Sequence, residues 1–335
     1  MPHSRVSSLV CSLGLLALLG ACAACGSGAP SSQLTIRFPI AVSESHPRLI
    51  VARKFAANLE RETAGRLRVQ FFTGGELYGA REAVRAAALG DAEMALEPET
   101  HYITFDEAFR ALDIPFQFAT TPEFHAFIDA RLEPRVSVSL AKAGLTLLDC
   151  WDEGPMIIAG RSSLVRTPAD FSGLKVRSSG HDLLARSWND LGAATINIPI
   201  QEVYTALQQG VAHAIFTTFN TFVSGKTHEV APKVVRWPAR SVYVWVVNRA
   251  FWERIPEADR AIARRLADDA TAEYNALIWS NYDALADTVR KVPNGEFHEL
   301  TPAELDAFTT RLKPLLDAWR TEFASVFADQ PGGGS

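Results

Sequence analysis

Two runs decide the fold: Asp170-Phe171-Ser172-Gly173-Leu174-Lys175-Val176-Arg177 and Gln201-Glu202-Val203-Tyr204-Thr205-Ala206-Leu207-Gln208-Gln209-Gly210-Val211. The first run ends in a short alternating stretch over 174–178 that reads as a strand, and the pattern predicts a helix over 181–191 closed by Gly192. A brief strand at 196–198 follows, then a helix over 201–209 closed by Gly210, then a strand over 211–216. Strands that alternate with short helices at this spacing pack as one sheet with crossovers, so the class is α/β.

The same rhythm extends in both directions. Upstream, residues 34–38 read as a strand, and Ser45 is the expected N-cap of a helix that carries Leu49, Ala52, Phe55 and Leu59 on one face and stops at Gly65. A half-buried strand over 66–72 turns at Gly74-Gly75; a helix over 79–89 ends at Gly90, and 92–96 is the next strand. After a helix near 122–131 come strands at 145–151 and 241–247. One uninterrupted helical pattern then runs from Pro256 to about residue 292, and a final helix covers 302–323. No repeat of 20 to 50 residues is present, which argues against a solenoid.

The chain has 335 residues, of which 47% are hydrophobic, with 33 basic against 38 acidic residues and a formal net charge of −5. Those proportions exclude a disordered tail, a collagen-like fibre and a basic nucleic-acid module, and the length suffices for one large or two medium cores. Arg5 followed by an apolar run over 9–19 reads as a signal peptide, over residues 1–21. Leu19-Gly20-Ala21-Cys22 is similar to a bacterial lipobox, which would place a lipid on Cys22; ordinary cleavage after Ala24 is the rival reading. Residues 22–33, rich in Gly, Ser, Ala and Pro, are then a tether, and membrane association runs only through such an anchor. Of four cysteines only Cys150 lies in the body, so no internal disulfide is expected.

Signatures of catalysis and metal binding are missing from the sequence. Eight His residues are scattered without ligand spacing, and Gly225-Lys226-Thr227 lacks the upstream Gly of a phosphate loop. There is no GxSxG elbow, and Cys150 sits inside an apolar strand. Asp152 and Glu153 project to opposite faces of an extended chain. No cofactor is called for, and the expectation is a protein that is not an enzyme.

The two opening runs resemble the "DLxGLKxR" and "xEVYxALQxGxV" signatures of the DctP-type substrate-binding proteins of tripartite ATP-independent periplasmic (TRAP) transporters. Thr63-Ala64-Gly65-Arg66-Leu67-Arg68-Val69, residues 77–94 and residues 247–256 resemble further segments of that family, so the likeness spans nearly all of 34–325. The resemblance implies a two-lobed, periplasmic-binding-protein-like fold (type II, TRAP subtype), with hinge strands and a long C-terminal helix spanning both lobes. It implies lobe I over 34–154 plus about 243–282, lobe II over 155–242 plus about 283–327, and a disordered tail at 328–335. It further implies capture of a small organic anion outside the cytoplasm, in the periplasm or on the outer face of a bacterial membrane, and delivery to TRAP membrane subunits. A secreted hydrolase or a ligand sensor on the same fold is the alternative.

Arg177 is the foremost candidate. It lies at the carboxyl end of a strand, where α/β sheets open their crevice, and its planar fork can grip a carboxylate; in the family the Arg of this motif makes that clamp. Two departures shape the expected cargo. Where many members carry a second Arg, this chain has Met156 or Ile157, and the usual acidic and amide groups after the second motif are replaced by His213-Ala214-Ile215-Phe216-Thr217. One cation with Trp151, Met156, Phe216 and Thr217 around it describes a pocket for a monocarboxylate with an apolar or aromatic body. Glu97 and Glu99, just after a strand end, are candidates to accept a ligand hydroxyl, Arg161 is a candidate substitute for the second Arg, and His213 reads as structural.

Overall fold

The computed structural model describes residues 33–328; the signal-peptide and tether expectations, the lipid on Cys22 and all but the first residue of the expected tail lie outside them. Strand β1 (Leu34–Ile40) pairs in parallel with β2 (Leu67–Thr73) across helix α1 (Pro47–Glu62). The cap of α1 is His46, one residue beyond the expected Ser45: Pro47 fills the first helical position and the His46 Nδ1 accepts from the Arg48 amide at 3.1 Å. Helix α2 (Ala80–Leu89) ends as the sequence predicts, at a left-handed Gly90 that lets its amide fold back on Ala86. Strand β3 (Met94–Pro98) starts two residues later than predicted and carries Glu97 inside it.

Helices α3 (Thr121–Phe127) and α4 (Glu133–Lys142) lead into β4 (Leu145–Asp152), which forms an antiparallel sheet with β10 (Val242–Asn248) and β3, in the order β3-β10-β4. The second large sheet has six strands. It is ordered β11-β9-β5-β8-β6-β7 and built from β5 (Met156–Gly160), β6 (Lys175–Ser178), β7 (Ala194–Asn197), β8 (Ala214–Thr218), β9 (Lys233–Trp237) and β11 (Glu296–Glu299). Helices α5 (Asp182–Asp190) and α6 (Val203–Gln208) are the crossovers read from the opening runs, and α7 (Phe219–Ser224) follows β8. The sequence pattern did not announce β5, β9 or β11: β5 is wholly buried and has no alternation to read.

The chain passes between the two sheets at Gly154-Pro155, from β4 to β5, and again over residues 238–241, from β9 to β10. Each sheet has its own apolar packing. Trp151, Trp245 and Tyr274 centre the first, and Ile157, Ile215, Phe219 and Phe222 one face of the second. A third cluster, with Trp188, Phe216 and Trp237, joins the second sheet's other face to α3, α4 and the C-terminal helix, and also to the first sheet through Val242, Val244 and Val246 of β10.

Short helix α8 (Arg249–Arg254) precedes the segment expected as one unbroken helix after Pro256. The structure corrects this: α9 (Glu257–Ser280) stops at Asn281, and α10 (Tyr282–Lys291) starts anew. The break falls where burial partners change, since Tyr274 and Ile278 pack in the first core whereas Ala286 and Val289 pack in the second. Helix α11 (Pro302–Glu322) opens with a capping box of Thr301 and Glu304.

Gly154 sits in the first crossing at φ +80°, and a Cβ there would lie 2.6 Å from Cγ1 of Ile278. Gly154→Ala therefore combines a left-handed backbone with a collision, and we expect it to destabilise the protein by more than about 1 kcal/mol, read as a lowered urea midpoint at unchanged m-value.

Candidate functional site

Between the two sheets lies a cavity of about 290 Å³, close to the lower end of the range for ligand sites. One wall comes from α1, α2 and β3 through Arg48, Arg81, Glu97 and His101, and the facing wall from β6, β8 and the segment before α6 through Arg177, Thr217, Thr218 and Gln201. The walls meet around it. His46 Nε2 at the head of α1 lies 3.0 Å from Thr221 Oγ1 in α7. On another side, Gly75 and Gln201 are so close that a Cβ on Gly75 would stand 2.9 Å from the Gln201 amide nitrogen. These contacts bridge the two walls.

Arg177 is the third residue of β6 and is 3% exposed. Its Nε donates to the Ile198 carbonyl at 2.8 Å, which fixes the plane of the fork. Among the described residues it forms no ion pair, and burial with no compensating acid lowers its pKa to about 10, so the guanidinium remains charged at neutral pH. A planar cation held from behind, lining a cavity and lacking a counter-ion, is a ready carboxylate receptor.

A second guanidinium lines the same cavity, and sequence reasoning missed it. Arg48, in the first turn of α1, is 2% exposed; its Nη1 donates to the Leu96 carbonyl at 2.8 Å and pairs with Glu97 at 3.0 Å, while its carbon Cζ lies 4.1 Å from the centre of the Tyr243 ring. Burial opposes its charge, but the Glu97 carboxylate more than restores it and holds its pKa above the ordinary value. The expectation of a single cation is thus corrected in structure, though Arg48 is already neutralised. A signal existed: a cation in the first turn of a helix opposes the helix dipole and calls for a specific partner.

The other candidates divide. Met156 and Thr217 line the cavity beside Arg177, and so does Glu97, but as the partner of Arg48 rather than as a loop acid. Trp151 does not line it: the indole stacks on Tyr274 at 4.6 Å and meets Trp245 edge-on, inside the first core. Phe216 also stays out of the lining: its ring packs against Trp188 at 5.0 Å, inside the cluster behind the sheet. Glu99 is buried and accepts from the Ser241 hydroxyl and the Val242 amide, outside the cavity lining. Arg161 is exposed beside the Gln208 carbonyl and supplies no second clamp; His213 accepts from the Lys175 amide and is structural.

His181, at the head of α5, also lines the cavity. Its Nδ1 lies 2.7 Å from Asp113 and 3.8 Å from Glu99, all three groups being buried. Burial alone would discharge the ring, but Asp113 and then Glu99 outweigh it and raise its pKa to about 9. Burial raises Glu99 to about 7 and drives Glu153, another wall residue, far above the usual carboxyl range. His101 is lowered to about 3, chiefly by burial, and stays neutral.

Comparison with known proteins agrees with this geometry. The family described as bacterial extracellular solute-binding protein, family 7 (DctP), matches residues 38–322. The C4-dicarboxylate-binding periplasmic protein DctP of Rhodobacter capsulatus is 27% identical over 289 residues, covering 86% of each chain. The 2,3-diketo-L-gulonate-binding periplasmic protein YiaO of Escherichia coli is 27% identical over 230 residues, 68% of this chain and 70% of that one. A TRAP periplasmic solute-binding protein of Sulfurospirillum deleyianum, solved with succinate, superposes with a TM-score of 0.82 at 22% identity, over 89% of this chain and 100% of that one. The sugar-acid-binding protein DctPAm of Advenella mimigardefordensis, solved with galactonate, gives 0.81 at 19% identity, over 88% of this chain and 95% of that one.

Removing Arg48 strands a buried carboxylate, so Arg48→Ala should cost about 3–5 kcal/mol of folding stability, measured by denaturant unfolding without ligand. The pH dependence has a definite sign. His181 and Glu99 both have raised folded-state pKa values, so their contributions are complete below the unfolded values and decline as pH rises through about 7 for Glu99 and about 9 for His181. The thermal midpoint should accordingly fall between pH 6 and 9.5; a rise over that interval would contradict the assignment.

Proposed function

Because the chain belongs to the bacterial extracellular solute-binding proteins of family 7, we propose that it captures a small organic acid outside the cytoplasm and hands it to TRAP membrane subunits, with Arg177 clamping the carboxylate. The observation that carries this reading is the buried, unpaired guanidinium in the wall of an inter-sheet cavity. The names of the relatives support the cargo class: they bind a C4-dicarboxylate, a diketo sugar acid, succinate and galactonate. An anion on Arg177 is the proposed driver of closure, since a ligand shifts a two-state equilibrium only by its differential affinity for the closed form. The two crossings, at 154–155 and 238–241, are the proposed hinge, with lobes bounded as the resemblance implies.

Within the class, the buried charges support a monocarboxylate. Arg48 is matched by Glu97 and His181 by Asp113, which leaves Arg177 as the buried cation for a ligand to neutralise, with the exposed Arg81 also in the lining. The expected apolar or aromatic body loses two supports, because Trp151 and Phe216 face the cores. Thr217, Thr218, Asn197 and Gln201 in the lining favour a body that carries oxygen, with Met156 and Ile198 as apolar wall. Signal-directed export and a lipid on Cys22 complete the proposal and would keep the receptor at the outer face of the membrane.

Two charge-assisted hydrogen bonds contribute about 1.5–3 kcal/mol each. Arg177→Ala should therefore weaken carboxylate binding about a hundredfold or more and abolish ligand-induced thermal stabilisation in a screen of organic acids. Full retention of stabilisation in that variant would refute the clamp, and chemical turnover of the bound acid, seen by mass spectrometry, would favour an enzyme.

A further inference from the structure

We infer that His181 is a second ligand contact, its Nε2–H donating to a hydroxyl or oxo oxygen of the acid whose carboxylate Arg177 holds, with Asp113 as the positioning residue behind the ring. The inference rests on the Arg177 reading and adds a selectivity to it: for oxygenated monocarboxylates over their deoxy analogues and over dicarboxylates.

The ring has two nitrogens with different surroundings. Nδ1 is turned inward, at 2.7 Å from Asp113 and 3.8 Å from Glu99, and the edge of Phe216 fixes the ring plane at 90°, with centroids 5.1 Å apart. Nε2 has no hydrogen-bond partner among the described residues, and the residue forms part of the cavity wall. An imidazole held at one nitrogen by a carboxylate presents the other in a fixed direction, and a donor with no protein partner is free to bond what enters the cavity.

Charge selects the acceptor. The groups that face His181 are Asp113, Glu99, Glu153 and His101. Asp113 compensates the imidazolium, which holds its proton up to about 9, while Glu153 and His101 are neutral for the burial reasons given above. With Arg48 also matched, the buried positive charge that no acid among the described residues compensates is that of Arg177, and the exposed Arg81 also lines the cavity. A second ligand carboxylate near His181 would meet Asp113 and the ionising Glu99 behind it, whereas a hydroxyl or oxo group accepts the same hydrogen bond without adding charge.

Calorimetric titration of the purified protein with 2-oxobutyrate, 2-hydroxybutyrate, gluconate, butyrate and succinate tests this. At least one oxygenated monocarboxylate should bind about ten to a hundredfold more tightly than butyrate, the worth of one hydrogen bond to a charged donor, and more tightly than succinate. In His181→Leu that ratio to butyrate should approach one, and in Arg177→Ala all binding should fall together. Because His181→Leu strands Asp113, the double variant Asp113→Asn with His181→Leu, which supplies no donor at position 181, is measured beside it. Asp113→Asn alone should move the pH at which affinity for the oxygenated acid declines from near 9 to a lower value. A preserved ratio in either His181 variant, or succinate as the tightest ligand, overturns the inference and leaves the clamp standing. Failure of every acid to bind, or binding indifferent to Arg177→Ala, overturns the clamp and this inference with it.

Discussion

The molecule is organised around a buried positive charge, on Arg177, that no acid among the described residues neutralises. An uncompensated buried ion is costly, by several kcal/mol after relaxation, so the closed arrangement with an empty cavity is disfavoured relative to one in which Arg177 is hydrated. An anion reverses that balance. Under the proposed function, the interaction that would confer affinity is the same one that would favour closure; His46 with Thr221 and Gly75 with Gln201 meet across the cavity. The stability needed to hold such a residue comes from elsewhere, chiefly from the aromatic packing of each core.

The other charges in the wall explain why one guanidinium stands apart. Arg48 and His181 are equally buried, but each has its own carboxylate in reach, Glu97 and Asp113. Paired charges of this kind are scaffolding: they set the shape and polarity of the cavity without contributing net attraction for an anion. Arg177 has a backbone carbonyl in place of an acid. That contact orients the fork and leaves its charge available, a division of labour suited to bidentate recognition.

The path of the chain serves the same end. It crosses between the sheets at Gly154-Pro155 and at 238–241, and the helical segment after Pro256 is divided at Asn281, where its buried face changes from one core to the other. Few chain crossings between the sheets are compatible with the proposed hinge, although one apolar cluster spans both sheets, through Val244 and Val246 on one side and Ile158 and Phe216 on the other.

By itself the sequence determined the α/β class, the crossovers around Gly192 and Gly210, the family and the place of Arg177, because these reside in local periodicity and in side chains at fixed offsets along single strands and helices. Only the tertiary structure decided which way each side chain faces and which charge is already spent. Trp151 and Phe216 were close to site residues in sequence, yet core packing holds them against Tyr274 and Trp188. Arg48 and Glu97, 49 residues apart, became partners through the packing of α1 beside β3, and His181 met Asp113 across 68. Net charge at a site is a property of neighbours in space, and a linear pattern does not list those neighbours.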